Sequence, residues 1–578
     1  MLINLLVLLL WAPSLLGWGV ASRAFLASGL GDKKELNDLN PGVAMILGFT
    51  PLVIISTFLH FFFALNSTIS LATLSTGYVL LIRERRTARP ALSAHSVSGA
   101  LFVMMLVSLF ASRPLRHFDT GLYHLQSIKW CTTYPLVRGL ANLHERLAFT
   151  SGWTPASAVL NYPEFSGSVC FPITCLLLFA FGWAAYLAIW SLNNAADRVE
   201  NVFLGTCGCF WMWMVITDSD LAILPSLSSD APVYFATLLG TYLCLRFSSR
   251  REYLDLFQAL AITALAVTSK VSAAPLFVFL LLFGAITWAR DANRFLPEAR
   301  AWIPVGVTIC FSFAVWFVRS VWLSGYLVFP ISSTALTFLP WHLPLPMARQ
   351  LVETLQAWAR SPGVSPKIAL ASSSWIYGWT ARLFDGEFFY IILAYAVFGG
   401  LMIFLSCRSG GRIRDAVIKC WAAAAMLLAG TIYWIFTAPD PRYGYGYLFA
   451  LACLVFSLGL VSLLGSRSKL AFTLVGFVSI IPLATVSDTS HFHLSGLPPL
   501  GVGPNSVRQT NQGTKVYVAE GDLRIFNAPL PSTPYFRPSL LTKIDRQHRI
   551  VEFDLPAAVN TPYYGIVPVQ VQNGATQR

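Results

Sequence analysis

Between Phe118 and Trp130 the chain reads FDTGLYHLQSIKW. An acid, an imidazole, an amide, an amine and aromatic rings fall within a few turns of chain. If the segment is helical from Asp119, then Asp119 and Tyr123 share a face at i, i+4, as do Tyr123 and Ser127. A carboxylate at the start of such a helix complements the helix dipole. It can equally take a proton from an incoming hydroxyl. His124 can assist that transfer or bind a metal. The plainer alternatives are a helix cap or solvated loop residue for Asp119, and a structural imidazole for His124.

Four other stretches carry related chemistry: TDSDLAILPSLSSDAP (Thr217 to Pro232), TSKVSAAP (Thr268 to Pro275), VRSVWLSGYLVFP (Val318 to Pro330) and APDPRYGYG (Ala438 to Gly446). Asp218, Asp220 and Asp230 compete as a second carboxylate. Asp230 also reads as a cap for the helix that Pro232 begins. Two carboxylates facing one cleft can hold a divalent cation, Mg or Mn, through oxygen, or divide acid and base roles; metal is left open. Lys270 stands in an otherwise apolar run, and Arg319 near the end of another. Charges at membrane depth are costly and line polar pathways or pair, unless they snorkel to the interface. Arg442 lies beside Asp440 and can pair with it internally. Together Lys270, Arg319 and Arg442 suit the oxygens of a phosphate. Tyr123, Asp218, Asp220, Tyr326 and Asp440 are candidates for contacting the rest of the substrate.

The elements that must position these residues are membrane helices. The 578 residues are 56% hydrophobic and 12% charged, with mean hydropathy +0.62, whereas a soluble domain carries about 25% charge. Many runs approach the roughly 20 apolar residues that cross hydrocarbon. About fourteen spans are expected, near 2–21, 42–64, 67–82, 97–112, 169–191, 201–217, 231–247, 253–268, 272–289, 302–322, 387–406, 416–437, 446–464 and 470–486. Residues 1–20 have no basic leading region and read as a first span, not a cleaved signal. The net charge of +13 is then an orientation signal and not a nucleic-acid footprint. Clusters such as Arg83, Arg85, Arg86 and Arg89, or Arg408, Arg412, Arg414 and Lys419, fall in alternate loops. That side is expected to be cytoplasmic. All five polar stretches then gather on the opposite, external face.

The expected fold is an all-α polytopic membrane protein with a transmembrane domain over 1–486. Its external loops, 113–168 and 323–386, mix amphipathic stretches with Trp and Tyr, as interfacial helices do. Residues 487–578 turn Pro-, Gly- and Asn-rich, with short β-like runs such as TKVYVAE and HRIVEFDL. They are expected to form a small external α/β or β-rich appendage.

Carboxylates and cations converging under interfacial loops suit a transferase with a lipid-phosphate-linked donor. The acid deprotonates an acceptor hydroxyl, and the cations stabilise the leaving phosphate. External chemistry has no nucleotide-sugar supply, so the sugar arrives on a polyprenyl carrier. FDTGLYH after an apolar span resembles the first external loop of GT-C superfamily glycosyltransferases, where an acidic residue at this place is catalytic. RSVWLSGYLVFP resembles a segment of bacterial GT-C-like proteins, with Leu327 and Val328 where Pro is commoner. APDPRYGYG and NAPLPSTPYF (Asn527 to Phe536) resemble segments of the same bacterial group. The resemblance implies a GT-C fold in the bacterial inner membrane, inverting transfer, and an active site on the periplasmic side with Asp119 as base. Envelope polysaccharide or glycolipid assembly is the expected setting, with a glycan or glycolipid acceptor. An O-antigen-type polymerase and a flippase for lipid-linked glycans are the alternatives. The flippase would place its polar residues at the midplane and show inverted repeats.

The topology places Asn511 outside. A cysteine introduced there is expected to react with an impermeant thiol reagent in intact spheroplasts; protection until lysis would invert the orientation.

Overall fold

A computed structural model describes residues 2–30, 36, 38–111, 117–149, 151–160, 172–192, 199–217, 226–290, 299–408, 413–464, 503–547 and 549–556. Helices occupy the expected positions as far as residue 464. They are α1 (Leu2–Ala27), α2 (Pro41–His60), α3 (Ser67–Arg83), α4 (Ala94–Phe110), α5 (Leu125–Thr133), α6 (Trp153–Leu160), α7 (Pro172–Ser191), α8 (Val199–Thr217) and α9 (Asp230–Arg250). They continue with α10 (Tyr253–Ser269), α11 (Ala274–Arg290), α12 (Trp302–Ser324), α13 (Leu345–Arg360), α14 (Trp375–Asp385), α15 (Glu387–Arg408), α16 (Ile413–Thr437) and α17 (Pro441–Leu464). The expected span at 470–486 lies outside the described residues.

Among the described residues, 8 helices are long and apolar enough to cross a membrane, and α4 and α10 are shorter apolar helices. Length and hydropathy therefore identify fewer crossings than the fourteen expected from apolar runs. Helix α3, STISLATLSTGYVLLIR, shows why the two measures part: its 17 residues carry a hydroxyl at almost every turn.

Close backbone approach packs the first helices. A methyl group on Gly17 would fall 1.9 Å from the carbonyl oxygen of Gly77, so α1 and α3 touch where neither has a side chain. Ser14 seals the contact by donating to the Leu74 carbonyl at 2.9 Å. Small residues serve this purpose where lipid removes the hydrophobic drive for helices to associate. Helix α15 presents the other extreme, with Val397, Phe398, Leu401 and Phe404 exposed as a lipid-facing surface.

Polar groups gather at the two ends of the bundle. At one end Arg246 reaches Asp255 at 3.0 Å and Asp38 at 3.1 Å. At the other, α9 begins with Asp230 in contact with Lys270. Asp230 and Arg246 lie on α9 about 24 Å apart along its axis, most of the thickness of hydrocarbon. The loops expected on one face are thus brought to one end.

That second end is capped by short helices and the C-terminal segment. Strands β1 (Asn505–Gln509) and β2 (Lys515–Ala519) form an antiparallel hairpin, β3 (Ser532–Thr533) adds parallel to β2, and β4 (Leu541–Ile544) pairs antiparallel with β5 (Ile550–Asp554). Val516 and Val518, alternating along β2, share one core with Trp130, Leu140, Leu147, Tyr326, Leu351 and Phe553. The appendage is therefore packed into both long loops, 113–168 and 323–386, at this end. Thr533 Oγ1 donates to the Leu143 carbonyl at 3.0 Å, and Arg537 donates to the Asn142 carbonyl at 2.6 Å and to Glu145 at 2.8 Å.

Glu145 and Arg537 are both buried, so removing one charge strands the other. Arg537→Met is expected to cost about 3–5 kcal/mol. Limited proteolysis should read this as release of the tail ahead of the helices; unchanged resistance would show that the apolar core alone holds the segment.

Candidate functional site

The chain does not enter the FDTGLYH segment as an ordinary helix. Thr120–His124 wind as a π-helix, and Leu125 donates its N–H to the Thr120 carbonyl. Such wide turns are rare and are frequently found at functional sites. The widening lifts Asp119 and Tyr123 away from ideal i, i+4 spacing, while Ser127 still donates to the Tyr123 carbonyl at 2.9 Å.

The tail holds this turn from outside. Phe526, at φ +42°, donates its N–H to the Gly121 carbonyl at 2.9 Å. Its ring lies 2.7 Å from where a Cβ on Gly121 would stand, so only glycine admits it. Gln126 donates to the Phe526 carbonyl at 2.8 Å, and Lys129 to the Ala528 carbonyl at 2.9 Å. Two of the polar residues in FDTGLYHLQSIKW thus anchor the appendage.

Asp119 looks the other way. Its carboxylate is 3.3 Å from Arg146 and 3.8 Å from Arg442. Arg442 also lies 3.8 Å from Asp440, whose carboxylate accepts its backbone N–H at 3.1 Å. Tyr443 joins the cations: Arg442 donates to its hydroxyl at 2.7 Å, and the Lys270 ammonium stands 3.6 Å over its ring. Lys270 also pairs with Asp230, and Tyr234 donates its hydroxyl to the Arg442 carbonyl. The imidazoles of His117 and His124 stack at 5.6 Å beside Asp119.

The electrostatics sort these groups. Burial pushes the Asp119 carboxyl upward, but Arg146, His124 and Arg442 outweigh it and hold the pKa below the usual range. Asp119 is therefore ionised at neutral pH. Asp440 is pushed upward by burial, against the pull of Arg442. Burial drops His124 to about 3 despite Asp119, and it lowers His117 too. Both histidines are neutral near pH 7.

Seven of the sequence candidates therefore meet: Asp119, Tyr123, His124, Asp230, Lys270, Asp440 and Arg442. Two do not. Arg319 contacts His60 and Cys131 in a separate cavity, and the buried Tyr326 donates to the Leu343 carbonyl at 2.8 Å. Asp218 and Asp220 lie outside the described residues. Arg146, His117 and Tyr443 were missed. Arg146 had a usable signal, since LANLHERLAF carries a cation into a loop on the face without the charge excess.

Among the described residues no three His, Cys, Asp or Glu side chains gather as a metal site needs. Asp119 and Asp230 each face cations instead.

The neutral His124 has a pH consequence. Its pKa is depressed from 6.5 to about 3. Between those values the unfolded chain binds a proton that the native chain refuses, so stability falls as pH drops through the unfolded pKa. His124→Gln should lose less thermal stability than the parent protein between about pH 7 and pH 5. Equal losses in nanodisc melting curves would show that His124 is protonated in the native state.

No match is found among curated proteins or among solved structures. A family model matches residues 1–449, a stretch that includes every member of the Asp119 cluster but not the appendage that holds its π-helix. The chain belongs to the family described as a domain of unknown function, DUF8201.

Proposed function

We propose that the chain is a membrane glycosyltransferase that moves a sugar from a polyprenyl-phosphate carrier to an acceptor hydroxyl, with inversion, at the external end of the bundle. The observation that carries the reading is the half-buried Asp119 carboxylate between Arg146 and Arg442, with the Lys270–Asp230 pair joined to it through Tyr443. Three carboxylates and three cations at one end of apolar helices supply both the base and the phosphate partners that transfer from a lipid-borne phosphate ester requires.

In this reading Asp119 accepts the proton of the acceptor hydroxyl as its oxygen bonds to the sugar's anomeric carbon. The bond from that carbon to the phosphate oxygen breaks, and its electron pair leaves with the phosphate. Arg442 and Lys270 face the charge that develops there. A resting Asp119 is a weak base, because the guanidinium groups hold its pKa down. The donor phosphate competes for Arg442 and weakens that restraint as it binds. Asp440, pushed upward by burial, supplies a second carboxyl that can bond to a substrate hydroxyl. The bacterial inner membrane, with this end facing the periplasm, fits the arrangement, and envelope glycan assembly supplies both lipid donor and acceptor.

Asp119→Asn in nanodiscs charged with polyprenyl-phosphate sugars should lower transfer by roughly 100-fold or more while the protein remains folded. Arg442→Gln should weaken donor binding. Full transfer by Asp119→Asn would sink the assignment, and a carrier lipid bound midway down the bundle would favour a flippase.

A further inference from the structure

Arg319 is the one charged candidate among the described residues that the cluster leaves aside, and its surroundings do not explain it. Arg319 is 4% exposed, so it does not snorkel to water. No carboxylate lies within ion-pair distance of it among the described residues. Its Nη1 donates to His60 Nδ1 at 2.8 Å, and its Nη2 lies 3.9 Å from Cys131 Sγ. His60 is thereby fixed as the neutral tautomer whose Nε2–H donates to the Tyr134 carbonyl at 3.2 Å. The Nε–H of Arg319 has no partner. A full positive charge is thus buried among neutral groups, which costs several kcal/mol unless something compensates it.

The compensation has a place to sit. A cavity of about 350 Å³, mouth included, is lined by Arg319, His60, Trp130, Ser127, Thr154 and Leu323, among others. The buried indole N–H of Trp130, on that wall, also lacks a partner. A guanidinium with a spare Nε–H, a spare indole donor and the Thr154 hydroxyl, with no acid among the lining residues, describe a site for an anion with several acceptor oxygens. The enclosed space is small, so it admits a compact anion and not an oligosaccharide. Apolar walls would strengthen the attraction by excluding water.

We propose that this cavity is a second binding site, separate from the Asp119 cluster, for a small oxyanion of phosphate type, with Arg319 as its cation and Trp130 as an orienting donor. The inference stands whether or not the transferase reading does, because it rests on a different cation. The phosphate can belong to a lipid head group or to a free ion, and the two sources separate by experiment.

The test uses full-length protein in nanodiscs of zwitterionic lipid, in an Arg442→Gln background that removes phosphate binding at the Asp119 cluster. Inorganic phosphate and dodecyl phosphate are titrated while the melting temperature is followed. A saturable rise is expected with at least one of them. Response to inorganic phosphate identifies a soluble ion, and response to dodecyl phosphate alone identifies a lipid head group. Adding Arg319→Gln should raise the half-saturating concentration by about tenfold or more. Trp130→Phe, which keeps the ring and removes the donor, should raise it severalfold and serves if Arg319→Gln fails to fold. No response to either phosphate, or the same half-saturation with Arg319→Gln or with Trp130→Phe, would overturn the proposal.

Discussion

A charge taken out of water must find a partner, and the far end of this bundle is organised by that constraint. Asp119 is half-buried, with too little water to hydrate its charge fully, and the cations of Arg146 and Arg442 compensate it. Arg442, half enclosed at the start of α17, in turn faces Asp440 and Tyr443. Lys270, at the end of α10, meets Asp230 at the start of α9. Each pair ties two segments that are distant in sequence. Breaking any one would leave a charge with too little water to hydrate it. The loops converge because their charges have nowhere better to go.

The same constraint explains the appendage. Loop 113–168 presents backbone carbonyls and a buried Glu145 that the helices cannot satisfy. Arg537, Thr533 and the backbone of Phe526 satisfy them instead. The C-terminal segment therefore completes the surface from which Asp119 projects, and it braces the π-helix opposite the carboxylate. It lies beyond residues 1–449, the stretch that the family model matches.

Two cation environments sit close together and differ in kind. Around Arg442 the positive charge is met by carboxylates, which a competing phosphate can displace. Around Arg319 the neighbours are neutral, and no resident acid has to be displaced. A ligand entering the first site exchanges one ion pair for another, whereas one entering the second supplies a missing partner. This contrast is physical, and it separates two arginines that sequence reasoning grouped together.

Apolar run length and the 3.6-residue period of a membrane helix are local, so the sequence by itself determined where the helices lie and which loops share an end. It also determined the chemistry available there, since charges between apolar runs are costly and few. Asp119, Asp230, Lys270 and Arg442 were legible for that reason. What only the tertiary structure decided was pairing. Arg319 and Arg442 both stand near the end of an apolar run, but α12 packs against α2, where Arg319 meets His60. Arg146 belongs to the cluster because the loop after α5 folds back over Tyr123, and no periodicity encodes that return. The π-helix at Thr120–His124 depends on Phe526, some four hundred residues downstream, and a contact so far along the chain leaves no local mark except the glycine that makes room for it.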